Sequence, residues 1–267
     1  MIKMLDSSKY IPVSYLGNEQ VKDIENSSGI IEHDYCFRVC TILKGPKLYA
    51  ANGDKSPYRM AEIFGKDHLY YNDHVIFQTS TCPYKCEYCY VDRLENDKLM
   101  TPKDIVHRFS KMRKEIEEKY KKYVNVLHMM GGDPAVYAKF WPIIRKELDN
   151  QGFKDVILYS DCLMIENNIY GVKPWEYIDI GRFVLVCSLK GSNWKNMFNT
   201  NGKYDKFNET LAEAVHYLNK DNVYFTIINY DHNDLPRIYN IFEKNKVDLL
   251  NVVHYEVTKR RYEGIIR

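Results

Sequence analysis

From residue 74 onward the apolar positions fall into two alternating rhythms. His74–Ser80 (HVIFQTS) is a short apolar, β-branched run and predicts a strand. Thr101-Pro102-Lys103-Asp104 then opens a helix, with a cap residue, proline at the first helical position and an acid in the first turn. Ile105, Phe109, Met112, Ile116 and Tyr120 follow at helical spacing. Val124–Met130 predicts a second strand, Phe140–Asn150 a helix ended by Gly152, and Val156–Ser160 a third strand. Residues 161–180 are irregular, with at most a short helix. Phe183–Leu189, Val223–Ile228 and Leu249–Val257 predict three more strands. Between them lie helices over Asn208–Asn219, with Leu211, Val215 and Leu218 on one face, and over Leu235–Asn245.

Short apolar strands alternating with amphipathic helices predict a parallel sheet covered by helices. The fold class is α/β. Six units fall short of a closed eight-unit barrel, so the expected architecture is an open, partial (β/α)6 barrel, with a flat doubly wound sheet as the alternative. Either places ligands at the carboxyl ends of the strands. Residues 1–73 differ: turn residues separate short apolar runs, and they are expected to form an N-terminal extension packed on a barrel of residues 74–267. Tyr35–Leu43 reads as a strand and Tyr58–Phe64 as one or two helical turns. The expectation is that Tyr35–Leu43 adds a strand or lid near the open side of the barrel, and that loops around Asn52–Asp54 reach the substrate.

Composition narrows the class. Hydrophobic residues at 45% and charged residues at 28% exclude a mostly disordered chain. No stretch approaches the ~20 apolar residues of a membrane helix, and the N-terminus (MIKMLDSSKY) lacks a signal-peptide core. A cytoplasmic protein without a membrane partner is expected. A net charge of +2 is not the footprint of a stable nucleic-acid binder. The mixed charges of Lys111–Lys122 read as a solvated helix face.

Seven cysteines stand at 36, 40, 82, 86, 89, 162 and 187. The odd count and the missing signal favour metal or catalytic chemistry over a disulfide framework. Cys82, Cys86 and Cys89, in C-x3-C-x2-C spacing, directly follow the first parallel strand. Thiolates suit zinc, Cu(I) and iron–sulfur clusters. Zinc sites and iron–sulfur cubes usually take four protein ligands, so three cysteines leave one iron of a cube open. A zinc site completed by a distant ligand remains the rival. Gly131-Gly132-Asp133-Pro134 ends the second strand, 42 residues after Cys89. Its glycines let the backbone approach a ligand closely, and Pro134 restrains the turn. Cys162 and Cys187 read as core packing. Cys36 and Cys40 form a lone C-x3-C, and His254 reads as packing or hydrogen bonding.

These residues carry a resemblance. C-x3-C-x-aromatic-C after the first strand, with Tyr88 in the aromatic slot, is similar to the signature of the radical S-adenosylmethionine (radical SAM) superfamily. The Gly-Gly-Asp-Pro turn resembles that family's Gly-Gly-Glu-Pro motif, with Asp for Glu. The resemblance implies that Cys82, Cys86 and Cys89 hold one 4Fe–4S cluster whose open iron is chelated by SAM. It places Tyr88 near the adenine, and Gly131, Gly132, Asp133 and Pro134 at the SAM amino group. Cys187-Ser188-Leu189-Lys190 resembles the strand-four end of glycyl-radical-enzyme activating enzymes, with Ser188 in place of Asp. Ser160, Asp161, Ser188 and Lys190 become candidate SAM contacts. The implied activity is reductive cleavage of SAM to a 5′-deoxyadenosyl radical that abstracts hydrogen from a substrate, with a flavodoxin or ferredoxin as electron donor. A protein or peptide substrate is expected. The alternative is a small-molecule enzyme resembling 7-carboxy-7-deazaguanine synthase, and the different-class rival is a non-catalytic zinc protein.

Overall fold

The computed structural model describes residues 9–13, 30–34, 37–40, 48–50, 74–82, 98–121, 123–162, 172–189, 207–228, 235–248 and 251–255. The strands are β1 (Ile11–Val13), β2 (Ile30–Asp34), β3 (Phe37–Cys40), β4 (Leu48–Ala50), β5 (His74–Gln78), β6 (Lys98–Met100), β7 (Val126–Met130), β8 (Ile157–Cys162), β9 (Phe183–Leu189), β10 (Val223–Ile228) and β11 (Val252–Tyr255). The helices are α1 (Pro102–Tyr120), α2 (Trp141–Asn150), α3 (Phe207–Leu218) and α4 (Leu235–Lys244), with 3₁₀ turns at Pro134–Phe140 and Pro174–Tyr177.

Among the described residues, β5, β7, β8, β9, β10 and β11 are parallel neighbours in chain order. A doubly wound sheet reverses its winding; this one never does. Antiparallel strands flank both sides, β3 beside β5 and β4 beside β11, with β2 outside β3. This arrangement also requires curvature. Cys40 of β3 is opposite His74, and only eight residues later Leu48 is opposite Tyr255 on the far side. In a flat sheet the seven strand spacings between β3 and β4 would measure about 34 Å, at about 4.8 Å each. Eight extended residues reach at most about 29 Å. The sheet is therefore curled, and the fold is the partial (β/α)6 barrel.

Two apolar layers follow from strand alternation. Val75, Phe77, Leu127, Met129, Leu158, Leu185, Cys187 and Phe225 pack with helix residues such as Phe109, Ile144 and Phe242 in the main core. Val126, Ile157, Tyr159, Val184, Val186 and Tyr224 form a second cluster drawn from strands alone, which fills the concave side. Cys162 and Cys187 are fully buried in the main core, opposite one another in the β8–β9 register.

Local chemistry explains the helix ends. Thr101 caps α1 in a reciprocal capping box: Asp104 N–H donates to Thr101 Oγ1 (3.2 Å), while Thr101 N–H donates to Asp104 Oδ2 (2.9 Å). The hydrogen bonds from Thr101 hold the Asp104 carboxyl below its usual pKa. Lys111, Lys114, Glu115 and Glu118 are exposed, as a solvated face requires. Arg113 departs from that reading: its guanidinium lies 3.3 Å from Asp155 and over the Tyr123 and Phe153 rings, tying α1 to the turn before β8. Gly152 has φ 86° and ends α2, where Phe153 N–H donates to Leu148 O.

The pattern missed β1, β2, β4 and β6, all short. Tyr35–Leu43 contains β3, which lies between β2 and β5; the expected turns at Tyr58–Phe64 and the loop at Asn52–Asp54 lie outside the described residues.

Candidate functional site

At its carboxyl end β5 runs through Thr79, Ser80 and Thr81 to Cys82, which is half-buried and packed against the main core. Cys86, Tyr88 and Cys89 lie outside the described residues, as do Lys190, Cys36 and Glu256. The chain returns at β6, so the described structure shows both ends of the cysteine loop. β1 joins them. Ile11, Pro12 and Val13 pair antiparallel with Met100, Leu99 and Lys98, while Val13 bridges to Thr79 and Ser80 N–H donates to Pro12 O (3.2 Å). Ile11 and Val13 are fully buried.

The Gly-Gly-Asp-Pro turn after β7 meets the start of that loop. Thr79 N–H donates to Met130 O (2.7 Å), Thr79 Oγ1 to Gly131 O (2.8 Å) and Asp133 N–H to Thr81 O (2.7 Å). Tyr137 OH donates to Thr81 Oγ1. Gly131 and Gly132 have φ of 73° and 46°, which L side chains rarely adopt. A Cβ on Gly131 would strike Gln78 Cγ, and one on Gly132 the Thr81 carbonyl. The glycines therefore permit a close approach to the chain's own β5 loop.

Asp133 is fully buried and caps the 3₁₀ turn, accepting from Ala135 N–H (3.2 Å). Pro134 is buried as that turn's first residue. Ser160 is buried on the parity of Leu158 and Cys162, which face the helices, and its hydroxyl donates to Asp161 O (3.2 Å). Asp161 and Ser188 have the opposite, inward parity of Tyr159 and Val186. Ser188 Oγ pairs with Thr226 Oγ1 on β10 at 3.1 Å. The sequence-predicted residues thus separate into Gly131–Pro134, which build the turn against the cysteine loop, and Asp161 and Ser188, which face the barrel interior.

Sequence reading missed the histidines inside the barrel. His74 Nδ1 lies 3.3 Å from His128 Nδ1, and His128 Nε2 lies 3.3 Å from Asp161 Oδ2. The His128 ring stacks on Tyr159 at 3.9 Å with 11° between planes, and His74 meets Tyr159 edge-on. Their signal was parity: in HVIFQ and VLHMM each histidine takes the face opposite the residues of the main core.

These residues fit the implied groups at the points described. Cys82 offers a half-buried thiol at a braced strand end. Ser80 Oγ, two residues before it, is buried with no hydrogen-bond partner among the described residues, a cost of about 1–3 kcal/mol where it stays unmet. Asp161, Ser188 and Thr226 add acceptors at the carboxyl ends of β8, β9 and β10. No helix among the described residues is long and apolar enough to cross a membrane.

Comparison with known proteins gives a family match. The family model described as the radical SAM superfamily matches residues 76–244, more than half of the chain. No curated protein matches the sequence. Among solved structures, Streptococcus suis SuiB bound to precursor peptide SuiA is similar, with TM-score 0.44 and 15% identity over 65% of this chain and 37% of that one. SuiB bound to S-adenosylmethionine gives TM-score 0.44 and 14% identity over 71% and 45%. The chain therefore spans less than half the length of these solved structures.

Proposed function

The chain belongs to the radical SAM superfamily, and from that premise we propose that it is a radical SAM enzyme in which Cys82, Cys86 and Cys89 hold one 4Fe–4S cluster beside a SAM site at the carboxyl ends of β5, β7, β8 and β9. The observation that carries this reading is the junction at Thr81. Its carbonyl accepts from Asp133 N–H, so the first cysteine and the Gly-Gly-Asp-Pro turn share one hydrogen-bonded unit although 50 residues separate them.

When bound, the cluster and SAM would supply radical chemistry, the reductive cleavage of SAM coupled to hydrogen abstraction from a substrate. The chain's own residues do the rest. Tyr88 would lie near the adenine, and Asp161 and Ser188 would accept hydrogen bonds from SAM hydroxyl or ammonium donors. Lys190, which follows β9 in the sequence, would contact the SAM carboxylate. The apolar cluster from Val126 to Tyr224 closes the interior below and keeps water from the reacting centre. That filled interior also supports a substrate presented at the rim, such as a segment of a protein or peptide. The reading includes an external electron donor of the flavodoxin or ferredoxin type, a cytoplasmic setting, and a division into an extension (1–73) and a barrel (74–267).

The test is anaerobic incubation of the reconstituted chain with SAM and dithionite. 5′-Deoxyadenosine and methionine are expected, and neither with Cys82→Ala. A chain carrying its full cluster that leaves SAM intact would overturn the reading.

A further inference from the structure

Asp161 is the last inward-facing residue of β8, with 23% of its side chain exposed at the carboxyl rim. Behind it His128 is almost wholly buried, and its Nε2 has no hydrogen-bond partner among the described residues; Asp161 Oδ2 lies 3.3 Å from it, within ion-pair distance but without hydrogen-bond geometry. Behind His128 is His74, Nδ1 to Nδ1 at 3.3 Å.

A hydrogen bond between the two facing Nδ1 atoms takes one proton, and the contacts of His128 bear on which ring supplies it. If neutral His128 supplied it, His128 would turn a bare Nε2 toward the carboxylate, setting two acceptors against each other in a buried site. If His74 supplies it, His128 carries its own proton on Nε2, facing Asp161. A doubly protonated His128 also presents Nε2–H. With Asp161 ionised, each arrangement without an acceptor clash therefore turns Nε2–H toward it. Stacking on Tyr159 fixes the plane of the ring.

We propose that His128 is a positioning residue: its Nε2–H orients the Asp161 carboxylate and keeps it an acceptor for the hydroxyl donors of a bound nucleoside, the ribose of SAM. The inference rests on the SAM site proposed above. A charged acceptor loses most of its value when it is free to rotate, because each hydrogen bond must then offset the entropy of ordering it.

Amide variants separate the two nitrogens. In His128→Gln the side-chain nitrogen replaces Nε2; in His128→Asn it replaces Nδ1. SAM affinity of the full-length, anaerobically reconstituted chain is measured by equilibrium dialysis, with iron content recorded for each variant. Asp161→Asn should weaken SAM binding about tenfold. His128→Gln should stay within about twofold of the parent, while His128→Asn should approach the Asp161→Asn value. The double variant His128→Asn/Asp161→Asn should bind no more weakly than Asp161→Asn alone. Equal SAM affinity in the Gln and Asn variants would overturn the proposal, as would parental affinity in Asp161→Asn; both leave the SAM site itself standing. A fully clustered parent that binds no SAM would overturn both. Histidine ¹⁵N shifts of the unmutated chain give a check independent of variant folding. His128 should report Nε2–H, and a neutral ring with a bare Nε2 would contradict the proposal.

Discussion

At the scale of single residues, Gly132 tests whether the Gly-Gly turn serves the ligand or the loop. Sequence reading expects that Gly132→Val weakens SAM binding and leaves the cluster intact. The structure gives the added atoms a different neighbour: they meet the Thr81 carbonyl, one residue before Cys82, at a φ that a β-branched residue rarely adopts. Overpacking costs about 1–3 kcal/mol and the left-handed backbone about 1–2 more. The expected outcome is lower thermal stability together with lower iron content, because the start of the cysteine loop must move. A stable Gly132→Val protein with full iron and weakened SAM binding would return the glycines to a ligand role. Asp133 is buried and caps the 3₁₀ turn, a role added to the one that sequence reading gave the motif.

At the scale of elements, β1 is the least legible and the most consequential. Ile11-Pro12-Val13 is too short for a periodic signal, and proline argues against a strand. Proline is tolerated here because Pro12 has only its carbonyl to place, and Ser80 N–H takes it. The strand holds Thr79–Ser80 and Lys98–Met100 together, so it closes the base of the cysteine loop from outside the barrel. Removing residues 1–13 should therefore lower iron and sulfide per chain while circular dichroism keeps its α/β character. Adding a synthetic peptide of residues 1–20 should restore part of the loss. Unchanged iron in the truncated chain would show that the loop needs no such brace. By contrast, the predicted β5, β7, β8, β9 and β10 and the four helices were legible, within a few residues at their ends. Their burial is continuous or follows the helical period, so local pattern and tertiary fate agree. β4 and β6 owe their existence to partners far away in sequence, β11 and β1, and no local pattern records that; β2 pairs with the adjacent β3.

At the scale of the molecule, the order of six parallel strands and the short link from β3 to β4 make the sheet curl, and curling turns one face into an interior. The six parallel strands and the partial barrel were legible in the sequence; what decides against the flat alternative, β3 and β4 pairing with opposite sides, was not. The cysteine spacing and the glycine turn were legible as motifs, whereas the histidines behind Asp161 became visible only once the inner face was known. The account's central claim is that three thiolates after β5 hold one open-iron cube. Iron and acid-labile sulfide, counted per chain after anaerobic purification, test it most directly. About four of each are expected, lost when Cys82, Cys86 or Cys89 is replaced by alanine and retained in Cys162→Ala, whose thiol is buried in the core. One zinc per chain with no sulfide would contradict it.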